Sequence, residues 1–279
     1  MLILVEGPKQ SEFSIAAKAL GHRVHVIPAD GAVGDAQPRL TRGDFEWGLL
    51  SGAASPARYQ RIHDEARAFN ITLLNDPAQH LQAEELDRTV AALEGLTART
   101  EIVQEVAEVK DALKRLTLPV FIRGSVSSAR ELGWKACVAA DLSEAQALVR
   151  VMMLRGGPVL LREMLPLRRI DKMHQGFPLS REYRLFVLDA DVLAMSPYSV
   201  SEDPFGPLTE RDEQEIRNLA HEVAKRTKVP WLAVDVGQLE SGEWRVIETG
   251  DPSCTGLATV AAHALVAALS HGLQMRAGC

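Results

Sequence analysis

Cysteine is scarce in this chain: three in 279 residues, Cys137, Cys254 and Cys279. The odd, scattered set lacks metal-ligand spacing, which excludes a cysteine-stapled scaffold and suits a reducing compartment. Cys137, among apolar neighbours, is expected in the core, and Cys279 as a chain-end thiol. Surplus positive charge is missing too. A formal charge of −6 leaves no broad cationic surface for a nonspecific nucleic-acid partner, and argues against one. No segment approaches about 18 consecutive apolar residues, and no opening stretch joins a basic start to an apolar run of signal-peptide length. A cytoplasmic protein without membrane contact is expected. Repeats and low-complexity tracts are also lacking. The composition that remains, 46% hydrophobic and 24% charged residues, is globular and supports a large core.

The pattern opens as β-α-β: an apolar run at 2–5, a helix over 11–20 stopped by Gly21, and an alternating strand at 23–27. A second unit follows, with a helix from Pro56 to about Phe69 and a strand at 71–74. Residues 78–95 are helical in composition and offer no candidate site residue. A strand near 100–103, a helix near 105–116 and a strand at 119–123 restart the pattern, so the domain boundary is expected near residue 98. Strands at 135–140 and 158–163 flank a helix over 143–155, whose Ser143 and Gln146 have capping-box spacing. Residues 182–197 predict two strands turning at Asp189–Asp191, and Thr209 caps a helix running to about Lys228.

The segment 231–249 is the most informative. Two β-favouring runs flank Ser241-Gly242, read as a two-residue hairpin loop. Pairing Glu240 with Glu243 and counting outward sets Leu239 against Trp244, Gly237 against Val246 and Asp235 against Glu248. Like charges directly opposite each other are destabilising, with Cβ atoms about 5 Å apart. A shared proton or a hard divalent cation would reconcile them. Asp251, a third carboxylate just past the strand, favours a multi-oxygen Mg²⁺ site. The competing structural reading pairs one carboxylate with a base such as Arg245.

A triphosphate on Mg²⁺ needs cations opposite and a backbone able to approach it. Arg123 ends one strand and Lys135 begins the next, with a Gly/Ser loop between them that would cover phosphates. This loop is no Walker A motif. After Arg162 and Glu163 come Arg168, Arg169, Lys172, Arg181 and Arg184, a basic concentration in an acidic protein. Arg168 and Arg169 suit a solvated surface loop; Arg184, among apolar strand neighbours, does not. His174 and His221 have no nucleophile beside them and are set aside.

With these parts in order, the chain resembles the ATP-grasp superfamily over about residues 100–256, in the divergent clade named for an arginine and two lysines. The matching stretches are PVFIRG (119–124), GWKACVA (133–139), LLREMLPL (160–167), FPLSREYRLFVLD (177–189), VDVG (234–237) and VIETGDPSCTGL (246–257). The resemblance implies an α/β protein. A Rossmann-like pre-ATP-grasp domain over 1–98 would precede a two-lobed ATP-grasp domain of antiparallel sheets over 99–279, with lobes of about 99–163 and 164–279. It implies nucleotide contacts from Arg123, Lys135, Arg162, Glu163, Met164, Leu165 and Arg184, with 161–165 as the adenine hinge. Metal contacts would come from Asp235, Glu248 and Asp251, and catalytic contacts from Arg184 and Lys172. Arg123 stands where the family usually has lysine, and the family's E-x-N pattern is one residue longer here, Glu248 to Asp251. ATP with Mg²⁺, or Mn²⁺ in its place, is the implied cofactor set. The implied reaction is a carboxylate-amine ligation through an acylphosphate, with a small molecule or a peptide or protein end as acceptor. A nucleotide-binding assembly factor and a nucleotidyl or nucleic-acid ligase adenylated on Lys135 or Lys172 are the alternatives, and a homodimer stays open. Acceptor specificity is expected in loops 166–181 and 199–208.

Overall fold

The computed structural model describes residues 1–7, 11–52, 55–174, 176–199 and 203–277. Cys279 and part of the 199–208 loop lie outside the described residues. The opening run is buried on both faces, the pattern of a central parallel strand. It forms β1 (Leu2–Glu6), followed by α1 (Glu12–Ala19), β2 (Arg23–Ile27), β3 (Glu46–Ser51), α2 (Pro56–Arg67) and β4 (Ile71–Leu73). The sheet order is β2-β1-β3-β4, and every pairing is parallel. The β-α-β opening is therefore present, with Ser11 and Ser55 capping the two helices. β3 has little local signal in the sequence, since its apolar centre is only Leu49-Leu50. α3 (Pro77–Glu84) starts with an Asp76–Gln79 capping box, and α4 (Leu86–Thr89) follows it. Ala83, Leu86 and Leu93 bury themselves against the last sheet of the chain.

The next sheet is antiparallel in the order β5-β8-β6-β7, built from β5 (Thr100–Val103), β6 (Val120–Gly124), β7 (Val138–Ala139) and β8 (Val159–Glu163). α5 (Val109–Leu113) and α6 (Leu142–Met153) cover it through Val109, Ala112, Ala145, Val149 and Met152. Two local expectations change. The strand expected over 135–140 shrinks to β7, because Gly133, at φ +88°, starts a 3-10 turn over Trp134–Ala136. Cys137 follows that turn and is buried, as expected. The cap of α6 is Asp141, whose carboxylate accepts from Glu144 N–H while Glu144 accepts from Ala140 N–H. An acceptor two residues earlier than Ser143 thus opens the helix.

β9 (Arg169–His174) and β10 (Phe177–Ser180) form a separate hairpin. β11 (Glu182–Leu188), β12 (Asp191–Pro197), α7 (Glu210–Thr227), β13 (Trp231–Gln238), β14 (Trp244–Gly250) and α8 (Ala262–Ala277) complete the chain, with sheet order β12-β11-β13-β14. The two faces of this sheet separate by period two. Leu185, Val187, Leu232 and Val234 pack against α7, and Phe186, Leu188, Trp231 and Ala233 against α8 and the N-terminal sheet. Further along the second face, the side chains turn polar.

Candidate active site

That polar continuation is a row across three strands. Arg184 on β11 is opposite Asp235 on β13, and Asp235 is opposite Glu248 on β14. The expected Asp235–Glu248 pairing is present, but the turn reaches it differently. Near the loop the partners are Gln238–Trp244, Gly237–Arg245 and Val236–Val246, and a bulge between Val236 and Asp235 then shifts the register. The loop is longer than Ser241-Gly242, since Leu239 N–H donates to Glu243 O (2.7 Å) and Gly242 N–H to Leu239 O (2.9 Å). The bulge leaves Ile247 as the extra residue and restores Glu248 to the face of Asp235.

The opposed carboxylates are reconciled by arginine. The Arg184 fork donates Nε to Asp235 Oδ1 (2.7 Å) and Nη2 to Oδ2 (2.6 Å), and its Nη1 donates to Gly256 O (2.7 Å). Arg123 reaches across from β6 and donates to Glu248, while its Nε and Nη2 hold Gly124 O and Val126 O. Both arginines are only 8% exposed. Arg162, on β8, donates Nη2 to Thr97 Oγ1 (2.7 Å) and to Ile247 O (2.9 Å), the carbonyl at the bulge. Its Nε is buried without a partner among the described residues.

A cavity of about 330 Å³ opens between the two antiparallel sheets. One part is apolar and aromatic, formed by Phe121, Trp134, Met164, Leu165, Leu167, Phe177 and Ile247; another carries Arg123, Arg162, Asp235 and Glu248. Glu163, Met164 and Leu165 line it where β8 leaves its sheet, and Glu163 Oε1 accepts from Thr117 N–H (2.9 Å). Val126, Ser127 and Ser128 of the Gly/Ser loop line it as well. A second cavity of about 110 Å³ shares Arg123, Val126, Asp235 and Glu248 and adds Arg184, Glu84, Thr249, Gly250 and Thr255.

Other expected residues lie elsewhere. Asp251 is buried apart from the pair: its carboxylate accepts from Asn75 Nδ2 (2.8 Å) and Ser253 N–H (2.8 Å) and bonds His80 Nδ1 (3.0 Å). Among the described residues no three His, Cys, Asp or Glu side chains are grouped to hold a metal. Strand alternation explains this, because Gly250 rather than Asp251 shares the side of Glu248. Lys135 and Lys172 are exposed and line neither cavity. His174 and His221 are exposed too, in keeping with setting them aside. Arg169, assigned to a solvated loop, lines the larger cavity, as do Arg130, Glu182 and Tyr198, which pattern reading offered no reason to choose. Alternation along β11 was the available signal for Glu182, since it shares the face of Arg184.

The buried charges perturb one another. Burial raises the Asp235 carboxyl above its ordinary value and Glu248 adds to this, against the pull of Arg184. Burial also opposes ionisation of Glu248, yet Arg123, with Arg162 and Arg184, holds it low. Burial, with Arg123 beside it, pulls Arg162 down to about 10. Burial pushes Glu182 up to about 7, with Asp235 and Glu248 adding and Arg130 opposing. Glu182 is therefore neutral in the fold at low pH. Its stabilising contribution is complete below the unfolded value near 4.5 and is lost as pH rises through about 7. Glu182→Gln, which stays neutral, should gain Tm relative to the wild type between about pH 5 and 8. A constant Tm difference across that range would contradict the assignment.

The family model that matches residues 19–269 is that of an ATP-grasp domain, family 3 of the clade named for an arginine and two lysines. No curated protein sequence matches the chain. Solved structures do. A RimK domain ATP-grasp protein from Sphaerobacter thermophilus is 15% identical with a TM-score of 0.64, over 97% of this chain and 100% of that one. The ATP-grasp ligase PsnB with its minimal precursor is 15% identical with a TM-score of 0.63, over 97% and 98%. D-cycloserine synthetase DcsG is 16% identical with a TM-score of 0.61, over 98% and 100%. At these identities the neighbours establish the fold, and the family match extends through both sheets that form the cleft. The chain belongs to the ATP-grasp domain proteins, in family 3 of the arginine-and-two-lysines clade.

Proposed function

We propose that this protein is an ATP- and Mg²⁺-dependent ligase that joins a carboxylate to an amine through an acylphosphate. The family and the ligases among its fold neighbours support an ATP-dependent enzyme forming C–N bonds. The observation that carries the reading is the Arg184–Asp235–Glu248 row facing Arg123 and Arg162 in a cavity with an aromatic and apolar part. The apolar part suits a purine, with Glu163–Leu165 beside it, and the basic part suits phosphates. The partnerless Nε of Arg162 and the opposed carboxylates fit an anionic ligand accompanied by a divalent ion.

In this reading Asp235 and Glu248 would hold Mg²⁺, which takes one or two protein carboxylates with phosphate and water oxygens and offsets charge on the transferring phosphoryl group. Asp251 is not part of that set; it ties β14 to Asn75 and His80. Arg123 and Arg162 would supply positive charge to the phosphates, Arg123 standing where the family usually has lysine while its fork holds Glu248, Gly124 O and Val126 O. Arg184 orients Asp235 with two parallel hydrogen bonds and ties it to Gly256 O. The γ-phosphoryl passes to a carboxylate oxygen, releasing ADP; an amine then attacks the acyl carbon and phosphate leaves. The aromatic walls and the Gly/Ser loop keep water from the acylphosphate. Lys135 and Lys172 line neither cavity, which speaks against adenylation of either.

A thermal-shift panel with ATP, ADP and Mg²⁺, followed by product analysis with candidate acceptors, tests the reading. Mg²⁺-dependent stabilisation by ATP and release of ADP with phosphate are expected. No nucleotide stabilisation, or AMP with a covalent adduct, would overturn it.

A further inference from the structure

Residues 78–95 carried no candidate site residue in sequence, yet the structure brings one of them to the reaction centre. Glu84, the last residue of α3, lines the smaller cavity with Thr249, Gly250 and Thr255, and none of the aromatic walls of the larger cavity lines it. One carboxylate oxygen, Oε1, accepts from Asp251 N–H, and the other takes no hydrogen bond among the described residues. Helix stability does not account for an acid here, since a negative charge at a helix C-terminus opposes the dipole.

The two cavities differ in charge. The larger sets Arg123, Arg130, Arg162 and Arg169 against Glu163, Glu182, Asp235 and Glu248. The smaller sets only Arg123 and Arg184 against Glu84, Asp235 and Glu248, and those two guanidiniums are already committed to Glu248 and Asp235. Its formal surplus is one acid, Glu84, whose carboxyl burial pushes up to about 7 against the Asp251 N–H, so that a cation placed beside it would be needed to hold it ionised. At about 110 Å³ with Leu86, Val126 and Ala233 as its only aliphatic walls, it admits a compact polar group rather than a ring system. Gly250 keeps it open: a Cβ there would lie 2.5 Å from Thr255 Oγ1 and 3.4 Å from Glu84 Oε1. The Gly/Ser loop is tied to the same wall, because Leu86 N–H donates to Ser125 O (3.1 Å) and Ser125 Oγ bonds Asp87.

We propose that the smaller cavity is the amine subsite and that Glu84 selects a compact, protonated primary amine by accepting its N–H on the carboxylate oxygen left without a partner. This rests on the ligase reading above and adds the chemical class of the nitrogen substrate, whose ammonium would pass one proton to the Glu84 carboxylate before the freed amine attacks the acyl carbon. A primary ammonium supplies charge and directed donors together, whereas a quaternary one supplies charge alone.

The test is thermal shift of the full chain with ammonium, methylammonium, glycinamide and tetramethylammonium chlorides at matched ionic strength, with and without Mg²⁺ and ADP. Methylammonium and glycinamide should raise the wild-type Tm by about 2 °C or more, and tetramethylammonium should not. Glu84→Gln should lose that shift while keeping the Mg²⁺·ADP shift. Should Glu84→Gln not fold, Thr255→Val, which preserves volume and removes a wall hydroxyl, should weaken methylammonium binding about fivefold or more. Equal amine shifts in the wild type and the variant, a tetramethylammonium shift matching that of methylammonium, or no primary-amine shift would overturn the inference. The Mg²⁺·ADP arm separates the two readings: its absence sinks the nucleotide site, while its presence without an amine response sinks only the role of Glu84. The nucleotide-free titrations decide that role in either case.

Discussion

Asp235→Asn and Glu248→Gln should each cut Mg²⁺-dependent ATP turnover by about a hundredfold or more, the scale of losing an electrostatic contact made at the transferring group. The structure adds a second consequence. Each carboxylate is the partner of a buried guanidinium, Asp235 of Arg184 and Glu248 of Arg123. Neutralising Glu248, a third exposed, costs less than neutralising Asp235, which leaves a buried cation poorly compensated, at a cost of about 3 kcal/mol. For a chain of this size that corresponds to a Tm lower by roughly 6–12 °C. Turnover should therefore be measured well below the variant's Tm, with circular dichroism confirming the fold. Wild-type turnover in both variants would remove Asp235 and Glu248 from the metal role. An unchanged Tm with lost turnover would say that the ion pairs are less important to the fold than their burial implies.

Arg123→Met should weaken ATP by about 10- to 100-fold, the worth of one to two charge-assisted hydrogen bonds, and should also destabilise the fold by leaving Glu248 unpaired. Arg123→Lys separates the two roles. Lysine keeps a point charge for phosphate but cannot hold Glu248, Gly124 O and Val126 O together with a planar fork. The expected outcome is ATP affinity within a few-fold of wild type and a lowered Tm. Equilibrium nucleotide binding and a melting curve on the same samples check both. If Arg123→Met binds ATP as tightly as wild type, the phosphate clamp lies elsewhere in the cavity, with Arg162 as the next candidate.

The elements legible in the sequence share a cause. β1, α1, β2, α7 and the β11–β12 hairpin are specified by local periodicity, by Ser and Thr caps and by turn residues, all expressed within a few positions of the chain. The Asp235–Glu248 pairing was legible too, but through compensation: the loop is longer than the two residues assumed, and the bulge at Ile247 restores the register that the longer loop would have shifted. A bulge depends on cross-strand packing and on Arg162 taking the Ile247 carbonyl, neither of which is a local signal.

Residue type and strand alternation were enough to nominate the acidic pair and to place Arg184 inside a sheet, because both depend on neighbours one or two positions away. Which cations meet those acids, which face Asp251 takes and what Glu84 touches depend on how two sheets and an N-terminal helix close around one cleft. Lys135 and Lys172, nominated by likeness of position, are exposed, while Arg130, Arg169 and Glu182 are brought to the cavity by the loops and strands that carry them. Long-range packing sets those distances. A charge buried there is stable only beside partners that lie far away in the chain, so its role is written in the assembled cleft and not in the order of residues.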